Sequence, residues 1–393
     1  MTPYLLIAAF LVLFSTVAKR LSSTILTAPM VFLGLGVALN LGGLVPEAAT
    51  ERALHLMAEI TLIVLLFLDA ARVDHDGLKH HSAWPVRMLV IGIPLCFAFG
   101  WVAGWLLLPG WPLAMVALIA AILVPTDAAL GDAVISNRDV PERHRRALTV
   151  ESGLNDGLAL PLVLMMAAFA APAGAAPEGG WTIFAARQVL LGPLVGVSIG
   201  ALGGLLLLKA QAARATDDVH EGIGTLALAA CCYLAAGAVG GNGFVAAFTG
   251  GFAFGAVVRG ACAFVYEFTE SEGKLLSWGA FLLLGAVLVP EAASSLTLPH
   301  LALILVSLFI LRPVAIWLSL TGTDADPLTR GFFGWFGPRG LATALFALLV
   351  VDELQADWAE AVLNLAINAV WISALLHGMT AAPLARWFGP RTG

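Results

Sequence analysis

Charge is what this sequence has least of. Only 12% of its 393 residues are Asp, Glu, Lys or Arg, against about 25% in an ordinary soluble domain. So little charge cannot solvate a surface on all sides, which excludes a water-soluble globular fold. Cysteine is scarce too. Cys96, Cys231, Cys232 and Cys262 lie in apolar stretches, where they read as small buried hydrophobes rather than a disulfide framework or metal site. No Lys or Arg precedes the first apolar run from Tyr4; without the basic leader of a signal peptide, it reads as a retained helix. No polar stretch is long enough for a soluble domain, and no H-E-x-x-H run supplies hydrolytic zinc chemistry.

What remains is apolar. The share is 60% and the mean hydropathy +0.93, in continuous runs of the ~20 residues that span a bilayer. Continuous runs select helices over a barrel, whose strands alternate. The expectation is an all-α polytopic membrane protein with about thirteen transmembrane helices. They fall at approximately 4–18, 24–43, 53–71, 85–108, 112–136, 147–171, 183–208, 221–239, 243–258, 274–290, 296–320, 331–351 and 358–385.

Basic residues test that count. Of 20 Lys and Arg, 16 fall in loops after odd-numbered segments or in the C-terminal tail; Arg52 and Arg187 fall on the other side, and Arg312 and Arg339 inside segments. The excess marks the cytoplasmic face, which puts the N-terminus outside and the C-terminus inside. The chain then reads as one membrane domain over 1–393. It has two inverted six-helix repeats, about 4–171 and 221–385, joined by a linker helix at about 183–208. Pro125 interrupts segment 5, and Gly334, Gly337, Pro338 and Gly340 interrupt segment 12. Broken helices at matching places in two repeats point to a binding site near the midplane.

Five acids lie in or beside these segments: Asp69, Asp127, Asp132, Glu151 and Asp156. Each costs roughly 2.5–3.5 kcal/mol to insert even on a lenient scale, so a function is expected of them. Four-residue spacing stacks Ser152 with Asp156 and Glu151 with Asn155, while Glu151 and Asp156 point about 140° apart. Asp156 with Ser152 is placed to face an ion, and Glu151 to meet a fixed positive charge or to serve as a helix-start acid. Carbonyls freed by Pro125, with the Asp127 carboxylate, would be hard oxygen ligands for Na⁺. Asp132 reads as an interfacial acid. Asp69 is either a ligand acting through water or an interfacial acid near Arg72. Arg339 cannot shed its proton, so a buried acid is its expected partner, and Glu151 is the one chosen. Arg312 is expected to snorkel or to form a structural pair. The histidine-bearing stretch from His75 to His81 reads as a solvated loop.

The motifs resemble those of the cation–proton antiporters, specifically the NhaP-type Na⁺/H⁺ exchangers. Pro125-Thr126-Asp127 is similar to that family's Thr-Asp motif, Glu151 to Asp156 to its Glu-Ser-Gly-Leu-Asn-Asp stretch, and Gly337-Pro338-Arg339-Gly340 to its helix-12 motif. Ala128 departs from the proline often found there. The resemblance implies a homodimer with a dimer domain and a moving core, exchanging Na⁺, or else Li⁺ or K⁺, for H⁺. It implies Asp156 as the exchanging carboxylate, with Thr126, Asp127 and Ser152 as ion ligands. Glu151 and Arg339 would form an internal pair supported by Asn155, which marks the electroneutral branch. No cofactor and no nucleic-acid partner are expected, and the bilayer is a prokaryotic inner membrane. A proton-coupled carrier of K⁺ or an organic solute is the nearest rival. A channel is more distant, because the acids form no ring of like groups, and so is an enzyme, because Ser152 has no base beside it on its helix.

Overall fold

A computed structural model describes residues 2–21, 24–45, 47–73, 83–135, 137, 139–172, 180–259 and 263–392. The His75–His81 stretch, Cys262 and the Asp132 side chain lie outside what is described. The described residues are helical, with no strand. In chain order the helices are α1 (Thr2–Leu21), α2 (Ala28–Leu41), α3 (Glu47–Ala71), α4 (Ala83–Leu107), α5 (Leu113–Ile122), α6 (Ala128–Ile135), α7 (Glu142–Ala170) and α8 (Gly180–Ala212). Then follow α9 (Asp218–Ala238), α10 (Gly243–Val258), α11 (Ala263–Leu283, continued to Ser294), α12 (Leu298–Ser319), α13 (Pro327–Trp335), α14 (Leu341–Val351) and α15 (Ala356–Thr392).

Among the described residues nine helices are long and apolar enough to cross a membrane; α2, α5, α10 and α14 are shorter apolar helices. Each apolar segment of the sequence holds one of these thirteen. Two segments are split. Segment 5 is α5 and α6, separated by Leu123–Asp127, and segment 12 is α13 and α14, separated by Phe336–Gly340. Ala128 in place of proline does not remove the first break, because α6 starts there.

Glycine sets how closely the helices approach. A Cβ on Gly196 or Gly200 of α8 would land on the carbonyl of Ala246 or Gly250 in α10, and one on Gly251 or Gly255 of α10 on the carbonyl of Phe67 or Ala71 in α3. Four-residue glycine spacing puts each pair on one helix face, the small-residue packing that draws helices together in lipid. α10 is thereby clamped between α8 and α3. Across the bundle, α7 packs beside α5, α6 and α3. Gly153 of α7 lies against the backbone of Asp69, and Gly157 against the ring of Phe248. The lipid-facing surface carries exposed Leu, Val and Trp such as Val90, Trp105, Leu194 and Leu206.

Loops that the charge pattern assigns to one face do meet. Trp84 opens α4, Arg143 opens α7 and Asp324 follows α12. The Arg143 guanidinium lies 3.6 Å over the Trp84 ring and donates to Asp324 at 2.6 and 3.0 Å. At the opposite end, Trp111 stacks edge-on to both His300 and Trp358. Cys96 and Cys232 are buried as expected, but Cys231 is exposed. Neighbours on a helix point 100° apart, and the buried face of α9 runs through Thr225, Ala229, Cys232 and Ala236, which leaves Cys231 outside it.

Candidate functional site

An interrupted helix in a bundle leaves carbonyls without donors at one end and N–H groups without acceptors at the other. Here the two breaks complete each other. Arg339 Nη1 donates to the carbonyls of Val124 at 3.0 Å and Pro125 at 3.2 Å, the open end of α5. In return the Asp127 carboxylate accepts from the Leu341 N–H at 2.5 Å, at the start of α14, while the Asp127 N–H donates to Pro338 O at 2.9 Å. Each charge also has the right sign. A cation sits at the negative end of one helix dipole, and an anion at the positive end of the other. Gly340 is required for this approach, because a Cβ there would land on the Asp127 carboxylate.

The expected partnership of Arg339 with Glu151 is corrected by this geometry. Glu151 pairs with Arg312 instead, Nη2 to Oε1 at 3.2 Å, and both side chains are at most 3% exposed. Arg312 Nη2 also donates to Phe336 O, the first carbonyl of the second break, at 3.3 Å. Gly337 makes room, since a Cβ there would collide with the Arg312 guanidinium. The reason is one of supply. Arg339 finds its acceptors in helix-end carbonyls, and its backbone N–H and Nη2 reach Ser373 and Ser307 at 2.7 and 3.5 Å. Of the two fates open to Arg312, the structural pair holds. It follows a π-helical turn, Ser307–Leu311, whose wider winding carries Ser307 and Arg312 to the same face.

Around Glu151 the remaining polar groups close into a network. Asn155, one turn on, donates to Thr126 Oγ1 in a short contact, to Thr126 O at 3.3 Å and to Glu151 Oε1 at 3.5 Å. Thr126 Oγ1 lies 3.4 Å from Glu151 Oε2. The carbonyls of Pro125 and Thr126, expected as cation ligands, thus accept from Arg339 and Asn155. They are spoken for because a break near the middle of a bundle has no water to satisfy it.

Asp156 differs from all of these. Its Oδ1 is buried and has no hydrogen-bond partner among the described residues. Asp127, Asp69 and Glu151 are the acids whose charges reach it. Ser152, buried one turn below it, shares its helix face. Asp69 enters from α3, where its backbone touches Gly153, and it feels both Arg72 and Asp127. The structure therefore gathers Asp156, Asp127, Thr126, Ser152 and Asp69 around the crossing of the two breaks. Sequence reasoning missed Ser307 and Ser373 as supports of Arg339. Nothing in their apolar surroundings marks them without the fold.

The sodium/hydrogen exchanger transmembrane family profile matches residues 6–387. The chain is 29% identical to the K⁺/H⁺ antiporter NhaP of Alkalimonas amylolytica and 28% identical to the K⁺/H⁺ antiporter NhaP2 of Shewanella oneidensis, across 98% and 97% of its own length. It spans 66% and 65% of theirs. The sodium proton antiporter MjNhaP1 of Methanocaldococcus jannaschii, solved at pH 8, superposes with a TM-score of 0.80 at 22% identity, covering 99% of this chain and 98% of that one, and so shares the fold. By the profile match over nearly its whole length, this integral membrane protein belongs to the sodium/hydrogen exchanger transmembrane family.

Proposed function

We propose that the protein is a secondary antiporter that exchanges a monovalent alkali cation for a proton at Asp156. One observation carries the reading: a buried carboxylate oxygen that no donor among the described residues satisfies, set among other acids where two broken helices meet. A carboxylate binds a proton or a metal ion, never both at once. Moving it bare through low dielectric is costly, so only the loaded forms change sides. Competition at one acid together with that rule gives obligatory exchange.

Asp127, Thr126 and Ser152 supply further oxygens beside Asp156, and Asp69 acts through water. Glu151 with Arg312 holds α7 to α12, while Asn155 fastens Thr126 to α7. Asn155, a neutral amide next to Asp156, stands where a second exchanging acid would add a charge, which supports one cation per proton. The names of its relatives divide between K⁺ and Na⁺, so the cation is settled by measurement. The working unit is a homodimer, in a prokaryotic inner membrane.

Proteoliposomes holding an acidic interior and a pH-sensitive dye test this directly. Adding Na⁺, Li⁺ and K⁺ in turn should collapse the gradient with at least one of them, at a rate that does not change with membrane potential. Cation uptake with no release of protons, at any pH, would overturn the reading.

A further inference from the structure

Beside the crossing, where α3 ends and α7 begins, lies a cleft of about 290 Å³ lined by Arg72, Glu142, Arg145, Arg146 and Thr149 among others. Among the described residues, its lining carries three guanidiniums and one carboxylate. Glu142 answers Arg146 at 2.6 Å, and the Arg145 Nε is held by the carbonyl of Val140 at 3.0 Å. Arg72 acts on Asp69 through space, but its Nη2 is buried without a hydrogen-bond partner among the described residues. A guanidinium cannot lose its proton, and a buried donor left unmade is costly. The surplus positive charge repels metal ions and so does not belong to the cation path. It fits an oxyanion whose several oxygens can take forked donors.

We propose that this cleft binds a phosphate group, carried by an anionic phospholipid or by a small soluble phosphate. Its position favours contact with a membrane leaflet, because basic pockets at the ends of spanning helices collect acidic headgroups. Arg72 follows Asp69 by three residues, and Val150 of the cleft directly precedes Glu151. An occupant would therefore sit next to the ion site without entering it. This inference does not rest on the transport reading, and its test uses no flux.

The unfolding midpoint of the purified full chain in detergent is measured with phosphatidylglycerol, with phosphatidylcholine, or with inorganic phosphate. Phosphatidylglycerol should raise it, and phosphatidylcholine should not. A rise with phosphatidylglycerol alone assigns a lipid headgroup, and a rise with phosphate as well assigns the soluble anion. Arg72→Gln with Arg145→Gln should weaken the apparent binding by roughly tenfold or more. Should that double variant not fold, Thr149→Glu decides, since it places a carboxylate on an exposed position of the cleft. The proposal is overturned if neither anionic probe shifts the midpoint, if phosphatidylcholine shifts it as much, or if Thr149→Glu responds like the wild type.

Discussion

At the scale of single residues, the division of labour among the acids is decided by who already holds their oxygens. Asp127 is committed to a helix end and Glu151 to a guanidinium, whereas Asp156 keeps an oxygen that no described residue claims. Asp156→Asn should therefore reduce cation-driven proton flux to background while the unfolding midpoint stays within a few degrees of wild type. Retained flux would remove Asp156 from the exchange. Gly340→Ala tests the capping of α14. Its new methyl group meets the Asp127 carboxylate, and overpacking of this kind costs about 1–3 kcal/mol. Both stability and flux should fall, while Gly331→Ala, with open space at its Cβ, should leave both near wild type. Sequence made the acids and glycines visible, because each is expensive or unusual inside an apolar run. It did not show the acceptors of Arg339. Counting charges suggests an acid for every buried base, whereas unfilled backbone carbonyls become countable only once the break is located.

Among elements, the pairing of α7 with α12 rather than with the second break is the main departure from expectation. A double-mutant cycle separates the two. Glu151→Gln combined with Arg312→Gln should show a coupling of about 0.5–3 kcal/mol in unfolding free energy, and the cycle of Glu151→Gln with Arg339→Gln a much smaller one. Glu151→Gln alone strands a buried guanidinium, a loss of about 3–5 kcal/mol when one partner of a buried pair is removed. Hydrophobic run length located the helices and Pro125 and Gly337 located the breaks, since chemistry at those positions forces them. The π turn at Ser307–Leu311 was not legible. At 100° per residue Ser307 and Arg312 point well apart, and only the wider winding lets both serve the crossing. The Gly196 and Gly200 pair drew no reading from sequence, since four-residue spacing alone does not name the helix it will meet.

For the molecule as a whole, one end of the bundle is tied by Arg143, Trp84 and Asp324, which join α4, α7 and the loop after α12. The Arg143 guanidinium, helped by the Trp84 N–H, holds the Asp324 carboxyl below its usual value. A group depressed on folding stabilises fully above its unfolded pKa of about 4 and loses that contribution as pH falls through the lower folded value. Asp324→Asn should thus lower the unfolding midpoint near neutral pH, with the gap closing in acid. The Asp324 side chain is 60% exposed, so the effect is small and shrinks with salt. The crossing makes a different demand, and it falls on biogenesis. Arg339 stands 215 residues after Val124, whose carbonyl it satisfies. While the ribosome makes that intervening stretch, the first break has no guanidinium to close it, yet hydrocarbon tolerates no bare backbone. The nascent first half must keep that segment near water, or borrow donors from the insertion machinery, until the second half arrives.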